Sequence, residues 1–135
     1  MITRLNPDTL SKNPAFSQIA VIEPPAKLIF VGGQNSVNAA GEIVGEDIAS
    51  QTRQTLDNIV AALKATGATL RDMVKMTIYV AQGQNLQDGY AAISQYTELR
   101  TQPPTISVIV VAGLANPNFL IEIDAVAAIG MEQTA

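Results

Sequence analysis

No cysteine and no histidine occur among the 135 residues of this chain. Their absence removes thiolate nucleophiles, disulfides, the commonest zinc ligands and the usual general base near neutral pH. Any catalysis must then use carboxylates, hydroxyls, backbone groups and water. Charge is also sparse, at 15% of residues against about 25% in an ordinary soluble domain. Hydrophobic residues make up 47%, so a monomer has little polar surface to spare, and part of its apolar surface is expected to face another subunit. The eight lysines and arginines are scattered singly and the net charge is −4. No basic stripe can neutralise successive phosphates, and nucleic acid is not an expected partner. The longest apolar stretch, Val108 to Ala115, is far too short to span a bilayer. The opening Met1-Ile2-Thr3-Arg4-Leu5-Asn6-Pro7 lacks a sustained apolar segment, so a cytoplasmic location with no membrane partner is expected.

The length suits a single domain over residues 1–135 with one core. Residues 1–15 read as an irregular lead-in, and Phe16 to Ile22 and Lys27 to Val31 as strands on either side of a turn at Pro24-Pro25. The pair Ile43-Val44 would complete a small antiparallel meander. From Asp47 to Ala65, the positions Ile48, Thr52, Leu56, Ile59, Val60 and Leu63 recur at helical spacing, with Gly67 as a stop. Met73 to Ala81 alternates as a half-buried strand, and Leu86 to Arg100 reads as a second helix closed by Gln102-Pro103-Pro104. Thr105 to Ala112 and Phe119 to Ala128 are strands, expected to pair as an antiparallel hairpin across the Gly113 to Asn118 loop. This order predicts an α+β fold with two helices on one face of a mostly antiparallel sheet. The sheet's other face would still need cover.

Few residues suggest chemistry by themselves. Glu122 and Asp124 leave the same face of the last strand, about 6.6 Å apart by strand rise, and a carboxylate pair is suited to activating water. The same pattern more often marks the less buried face of an ordinary antiparallel strand. Gly32-Gly33-Gln34 would let backbone N–H groups approach a ligand, although a glycine pair at a strand end more often marks a bulge. Tyr79, Tyr90 and Tyr96 either line a cleft or pack at core edges with a wet hydroxyl.

Taken in order, five segments make the sequence resemble the RidA/YjgF family from about Phe16 to Ala128. They are Val31-Gly32-Gly33-Gln34, Gln51 to Ile59, Val74 to Val80, Pro104-Thr105-Ile106-Ser107-Val108, and Ile121 to Ala127. The resemblance implies a chorismate-mutase-like α+β fold and a homotrimer with small-molecule clefts between subunits. In active members it implies hydrolysis of 2-imino or 2-enamino acids to 2-oxo acids and ammonia, with no cofactor and no metal. It also implies a substrate-binding arginine in the penultimate strand, a cysteine two residues on, and a water-positioning glutamate in the last strand. The matching positions here are Ile106, Val108 and Glu122. The family's cleft tyrosine matches Phe16, its serine before the glycine Gly33 matches Gly32, and its second-helix asparagine falls nearest Gly89.

Glu122, Gly33 and a ring at Phe16 therefore persist, while the groups that hold a carboxylate are gone. An isoleucine cannot supply the charge and bidentate geometry of a guanidinium, and a carboxylate buried against Ile106 and Val108 would be unpaired. Arg100, six residues upstream of Ile106 at the expected helix end, could in principle swing in, but a structural role, capping the helix end or pairing with Glu98, is the preferred reading. A ligand is expected to be neutral or cationic and partly apolar, anchored by Glu122. The leading expectation is an enamine or imine deaminase with Glu122 as catalytic residue and Phe16, Gly32, Gly33, Ile106 and Val108 lining the substrate site. Beside it stands a noncatalytic trimeric binder using the same clefts. A nuclease is disfavoured by the missing histidine, the acidity and the lack of a basic groove.

Overall fold

Leu56, Ile59 and Leu63 come onto one side of a helix because they recur at three- and four-residue steps, and all three are fully buried. This helix, α1 (Ile48–Lys64), starts where the Asp47 side chain accepts the Ser50 N–H at 2.7 Å. It ends just before Gly67, whose φ of +83° turns the chain away. Val60 lies on the flank of the stripe and is 37% exposed, whereas Gln51, Thr52 and Thr55 are buried. The computed structural model describes residues 1–131.

Beneath α1 lies a sheet of four strands in the order β3 (Ala26–Gln34), β6 (Ile121–Gly130), β4 (Met73–Ala81) and β5 (Thr105–Val111). β6 runs antiparallel to both of its neighbours, and β4 and β5 run parallel. A separate two-stranded ribbon pairs β1 (Ile2–Leu5) with β2 (Ile19–Ile22), Ile2 opposite Ile22. The fold is mixed α+β, as expected from the order of elements, with three α-helices among the described residues: α2 (Leu86–Ile93) and α3 (Thr97–Thr101) complete the helical layer.

Four expectations need correction. Thr105 to Ala112 and Phe119 to Ala128 do not form a hairpin, because β6 inserts between β3 and β4 and pairs with both. The crossover through α2 and α3 lays its helices over one sheet face and returns the chain parallel to β4, which leaves β5 at the sheet edge. The predicted second helix is broken: Tyr96 takes an extended conformation and its hydroxyl donates to Asp57 Oδ1 of α1 at 2.8 Å, so the chain cannot continue helical through it. The meander does not form either. β2 and β3 flank Pro24-Pro25 but join different sheets, and Ile43 makes only an isolated bridge to Val37. Finally, the lead-in contains β1, held by the Arg4 guanidinium donating to the carbonyls of Arg71 at 2.7 Å and Met73 at 3.0 Å.

The core lies between α1 and the sheet. Ile29 and Val31 of β3, Ile121, Ile123, Ala125 and Ala127 of β6, and Met76, Ile78 and Val80 of β4 all point into it. Alternation sends the intervening residues to the other side, where Leu28 (53% exposed), Phe30 (75%) and Ile109 (43%) leave an apolar face without cover in a single chain.

Candidate functional site

Period-two alternation in β6 places Glu122 and Asp124 on the open face, directly opposite Tyr79 and Thr77 of β4. The Tyr79 hydroxyl donates to Asp124 Oδ2 at 3.5 Å. The negative charge of Asp124 holds the Tyr79 hydroxyl above its ordinary pKa, with burial, the hydrogen bond and the charge of Glu122 adding in the same direction. Gly32 and Gly33 occupy a β-bulge: the pairing steps from Val31 opposite Ala125 to Gln34 opposite Ile123, so β3 carries one residue more than β6. The bulge brings the backbone of Gly33 against Glu122. A Cβ at Gly33 would lie 2.6 Å from Glu122 Oε2 and 2.9 Å from its Cδ, so only glycine leaves the carboxylate its place.

A row of amides backs this carboxylate. Asn35 Nδ2 donates to Glu122 Oε1 at 3.4 Å and to the Ile121 carbonyl at 3.1 Å. Asn58 Nδ2 of α1 donates to the carbonyls of Asn35 at 3.0 Å and Val37 at 2.8 Å, and Gln54 donates to Asn58 Oδ1 at 2.9 Å. The loop that carries Asn35 is thereby pinned to α1. Sequence reasoning singled out neither Asn35 nor Asn58 as a site residue, since isolated amides on a loop and on the polar side of a helix carry no periodic signal.

On the opposite, helix-covered face, a cavity of about 450 Å³ opens between β5, α2 and the loop before β2. Phe16, in that loop rather than in a strand, lines it together with Ile106 and Val108 of β5, Ile78 of β4, and Gly89 and Tyr90 of α2. Ile106 and Val108 reach it because the parallel register sets them beside Met76 and Ile78 on the core side. A smaller cavity of about 190 Å³ adjoins it and shares Ala15, Tyr90, Ile93 and Ile106; Arg100 lies on its wall.

The six residues singled out from the sequence thus form two groups. Phe16, Ile106 and Val108 share the cavity, whereas Gly33 meets Glu122 on the far side of the sheet, with Gly32 beside it in the bulge. Within one chain the sheet separates them, and Glu122 is not a wall of the cavity. Of the three tyrosines, Tyr90 lines both cavities, Tyr79 sits beside Asp124, and Tyr96 is tied to α1. Arg100 does not pair with Glu98: among the described residues the ion pair found is Lys12 with Asp8.

Residues 8–129 match the family model described as Endoribonuclease L-PSP. The chain belongs to that family. It is the RidA/YjgF family of the sequence resemblance, and proteins of known description within it are close enough to compare. A RutC family protein of Pyrococcus horikoshii is 36% identical over 100 residues, covering 73% of this chain and 77% of the relative. The 2-iminobutanoate/2-iminopropanoate deaminase of Escherichia coli K12 is 35% identical over 105 residues, 74% of this chain and 78% of the enzyme. Among solved structures, a Rid family protein of unknown function from Yersinia pestis superposes with a TM-score of 0.83 at 31% identity, covering 95% of this chain and 98% of that one. Escherichia coli TdcF, solved with bound serine, gives a TM-score of 0.69 at 25% identity over 88% of this chain and 97% of its own. Among the described residues, no helix is long and apolar enough to cross a membrane.

Proposed function

We propose that this chain handles a small, largely apolar metabolite bearing a reactive amine, an imine or enamine, at clefts assembled between copies of itself. Glu122 orients the water that hydrolyses the C=N group, giving a carbonyl compound and releasing ammonia. The seating of Glu122 against Gly33 carries this reading: a carboxylate held by a glycine bulge and an asparagine is positioned for water. Gly32 and Gly33 present backbone to the substrate, and Phe16, Ile106 and Val108 shape the apolar wall. Since these groups lie on opposite faces of one sheet, a site that uses both draws them from two chains. Exposed Leu28, Phe30 and Ile109 supply apolar surface for that contact. A cytoplasmic homotrimer acting on small molecules without metal or cofactor, with neither nucleic acid nor membrane as partner, agrees with the low charge, the net acidity and the family.

A second reading, binding without turnover, is favoured by the absence of any charged side chain from the lining of the larger cavity. Release of 2-oxobutanoate from 2-iminobutanoate generated in situ separates the two. The expected result is slow turnover by the wild type, abolished in Glu122→Gln and raised at least tenfold in Ile106→Arg, which restores a bidentate carboxylate partner. No turnover of any imine by the wild type, with Glu122→Gln indistinguishable from it, replaces hydrolysis by binding alone.

A further inference from the structure

Depth sorts the lining of the larger cavity. Its floor is made by Ile48, Ile78, Val80 and Ile121, all of them buried. Its polar groups, on Asn13, Gln87 and Tyr90, are neutral and belong to exposed residues. No charged side chain lines it; Arg100 belongs to the adjoining smaller cavity and is itself exposed. At about 450 Å³ the space falls in the range of roughly 300–1,000 Å³ that encloses a small organic ligand. An alkyl chain laid on that floor leaves water without leaving a polar group unpaired. A charged group carried in with it finds no counter-charge, and desolvating an unpaired charge outweighs what the hydrocarbon gains.

Taking hydrolysis at this space as proposed above, we infer that the substrate is an imine without a carboxylate, an alkyl aldimine R–CH=NH, with its chain on the apolar floor and its C=N group at the mouth. A 2-imino acid holds its carboxylate one bond from the reacting carbon. It therefore brings a second negative charge beside Glu122, with no cation in the lining to offset the repulsion. An aldimine brings none. Water adds its oxygen to the imine carbon, and its proton passes through Glu122 to nitrogen. The carbinolamine so formed passes its hydroxyl proton to nitrogen and expels ammonia, leaving R–CHO. Water is the only co-reactant, and nothing is oxidised or reduced. The reaction that supplies this substrate is the oxidation of a primary amine bearing no α-carboxylate, and the reaction that consumes the product acts on an aldehyde.

A pair of imines that differ only in the carboxylate tests this. Pentan-1-imine is formed in situ from pentylamine by a flavin amine oxidase, and 2-iminohexanoate from 2-aminohexanoate by a flavin amino-acid oxidase. Ammonia release by the full chain, above the uncatalysed rate, should give a kcat/KM at least tenfold higher for pentan-1-imine. Ile106→Arg should reverse that order, with thermal unfolding as the check that this variant folds. Calorimetric titration with 2-hexanone and 2-oxohexanoate, which set a methyl against a carboxylate, makes the same comparison without turnover; 2-hexanone should bind at least tenfold tighter. Equal or faster turnover of 2-iminohexanoate by the wild type, abolished in Glu122→Gln, keeps the hydrolysis and overturns the substrate class. Binding of 2-oxohexanoate as tight as that of 2-hexanone overturns the substrate class as well. No turnover of either imine overturns the hydrolysis itself, and this inference with it.

Discussion

Glu122 and Gly33 are complementary to within a single atom: the carboxylate fills the space that a Cβ on Gly33 would need, with Oε2 2.6 Å from that position. Gly33 does not have a positive φ, so contact with the glutamate rather than backbone strain is what requires glycine there.

Substitution of the two adjacent glycines should therefore give different results. Gly32→Ala meets nothing within 4 Å and should change stability by less than about 0.5 kcal/mol with turnover unaffected by any movement of Glu122. Gly33→Ala pushes aside a flexible side chain, so the stability loss should stay below about 1.5 kcal/mol while imine hydrolysis falls at least tenfold. Denaturant unfolding and the oxo-acid release assay on both variants check the contrast.

Gln51 is 1% exposed and ties together three points of the chain. Its Nε2 donates to the carbonyls of Gly45 at 3.1 Å and Asn118 at 2.9 Å, and its Oε1 accepts the Leu120 N–H at 2.9 Å. Gln51→Leu removes all three hydrogen bonds to part-buried backbone groups and should cost about 1–3 kcal/mol. Because Leu120 directly precedes β6, hydrogen exchange should quicken first at the start of that strand.

Leu56→Ala in the fully buried stripe of α1 should cost about 2–5 kcal/mol, the range for large-to-small changes in a core that relaxes only partly. Val60→Ala, one turn on and 37% exposed, should cost less than about 1 kcal/mol. Urea midpoints at constant m-value measure both.

Alkaline titration should reveal Tyr96. Burial, then the hydrogen bond to Asp57, raise its pKa above the ordinary tyrosine value. The protonated form is the one favoured by folding, so this stabilisation is complete below the unfolded pKa of about 10 and is lost as the pH rises beyond it. The melting temperature of the wild type should fall more steeply above pH about 10 than that of Tyr96→Phe, and the two slopes should coincide near neutrality. Equal slopes across the alkaline range would remove Tyr96 from the linkage.

The elements that could be read in the sequence were those specified locally. The helix from Asp47 needs only its own periodicity and its cap, and the strand from Met73 only alternation, so both lie where the pattern puts them, while the last strand, expected over Phe119 to Ala128, forms two residues later, over Ile121–Gly130. Pairing is decided by distant residues. β1 is too short to declare itself without Ile19 to Ile22, and nothing between Thr105 and Ala128 reveals that β3 lies beside β6. The site divides in the same way. Glu122 and Asp124 share a face as strand alternation requires, and the glycine pair is a bulge. That Phe16 and Ile106 lie on the opposite side from Glu122 follows only from the register of β4 with β5 and β6. Arg100, read as capping the helix end or pairing with Glu98, lies at the end of α3 on the wall of the smaller cavity and makes no pair with Glu98.

The position of β6 also governs the order in which this molecule can be made. A ribosome delivers β3 and β4 well before Ile121, yet these strands share no hydrogen bonds and join only through the strand still to come. Without β6, β3 has no partner in the sheet and the β4–β5 pair keeps an open edge, and unpaired edges of this kind favour pairing with other nascent chains. Sheet closure is thus a late event, dominated by contacts distant in sequence. Polysome crowding and chaperone supply should therefore affect the yield of this protein more than its melting temperature suggests.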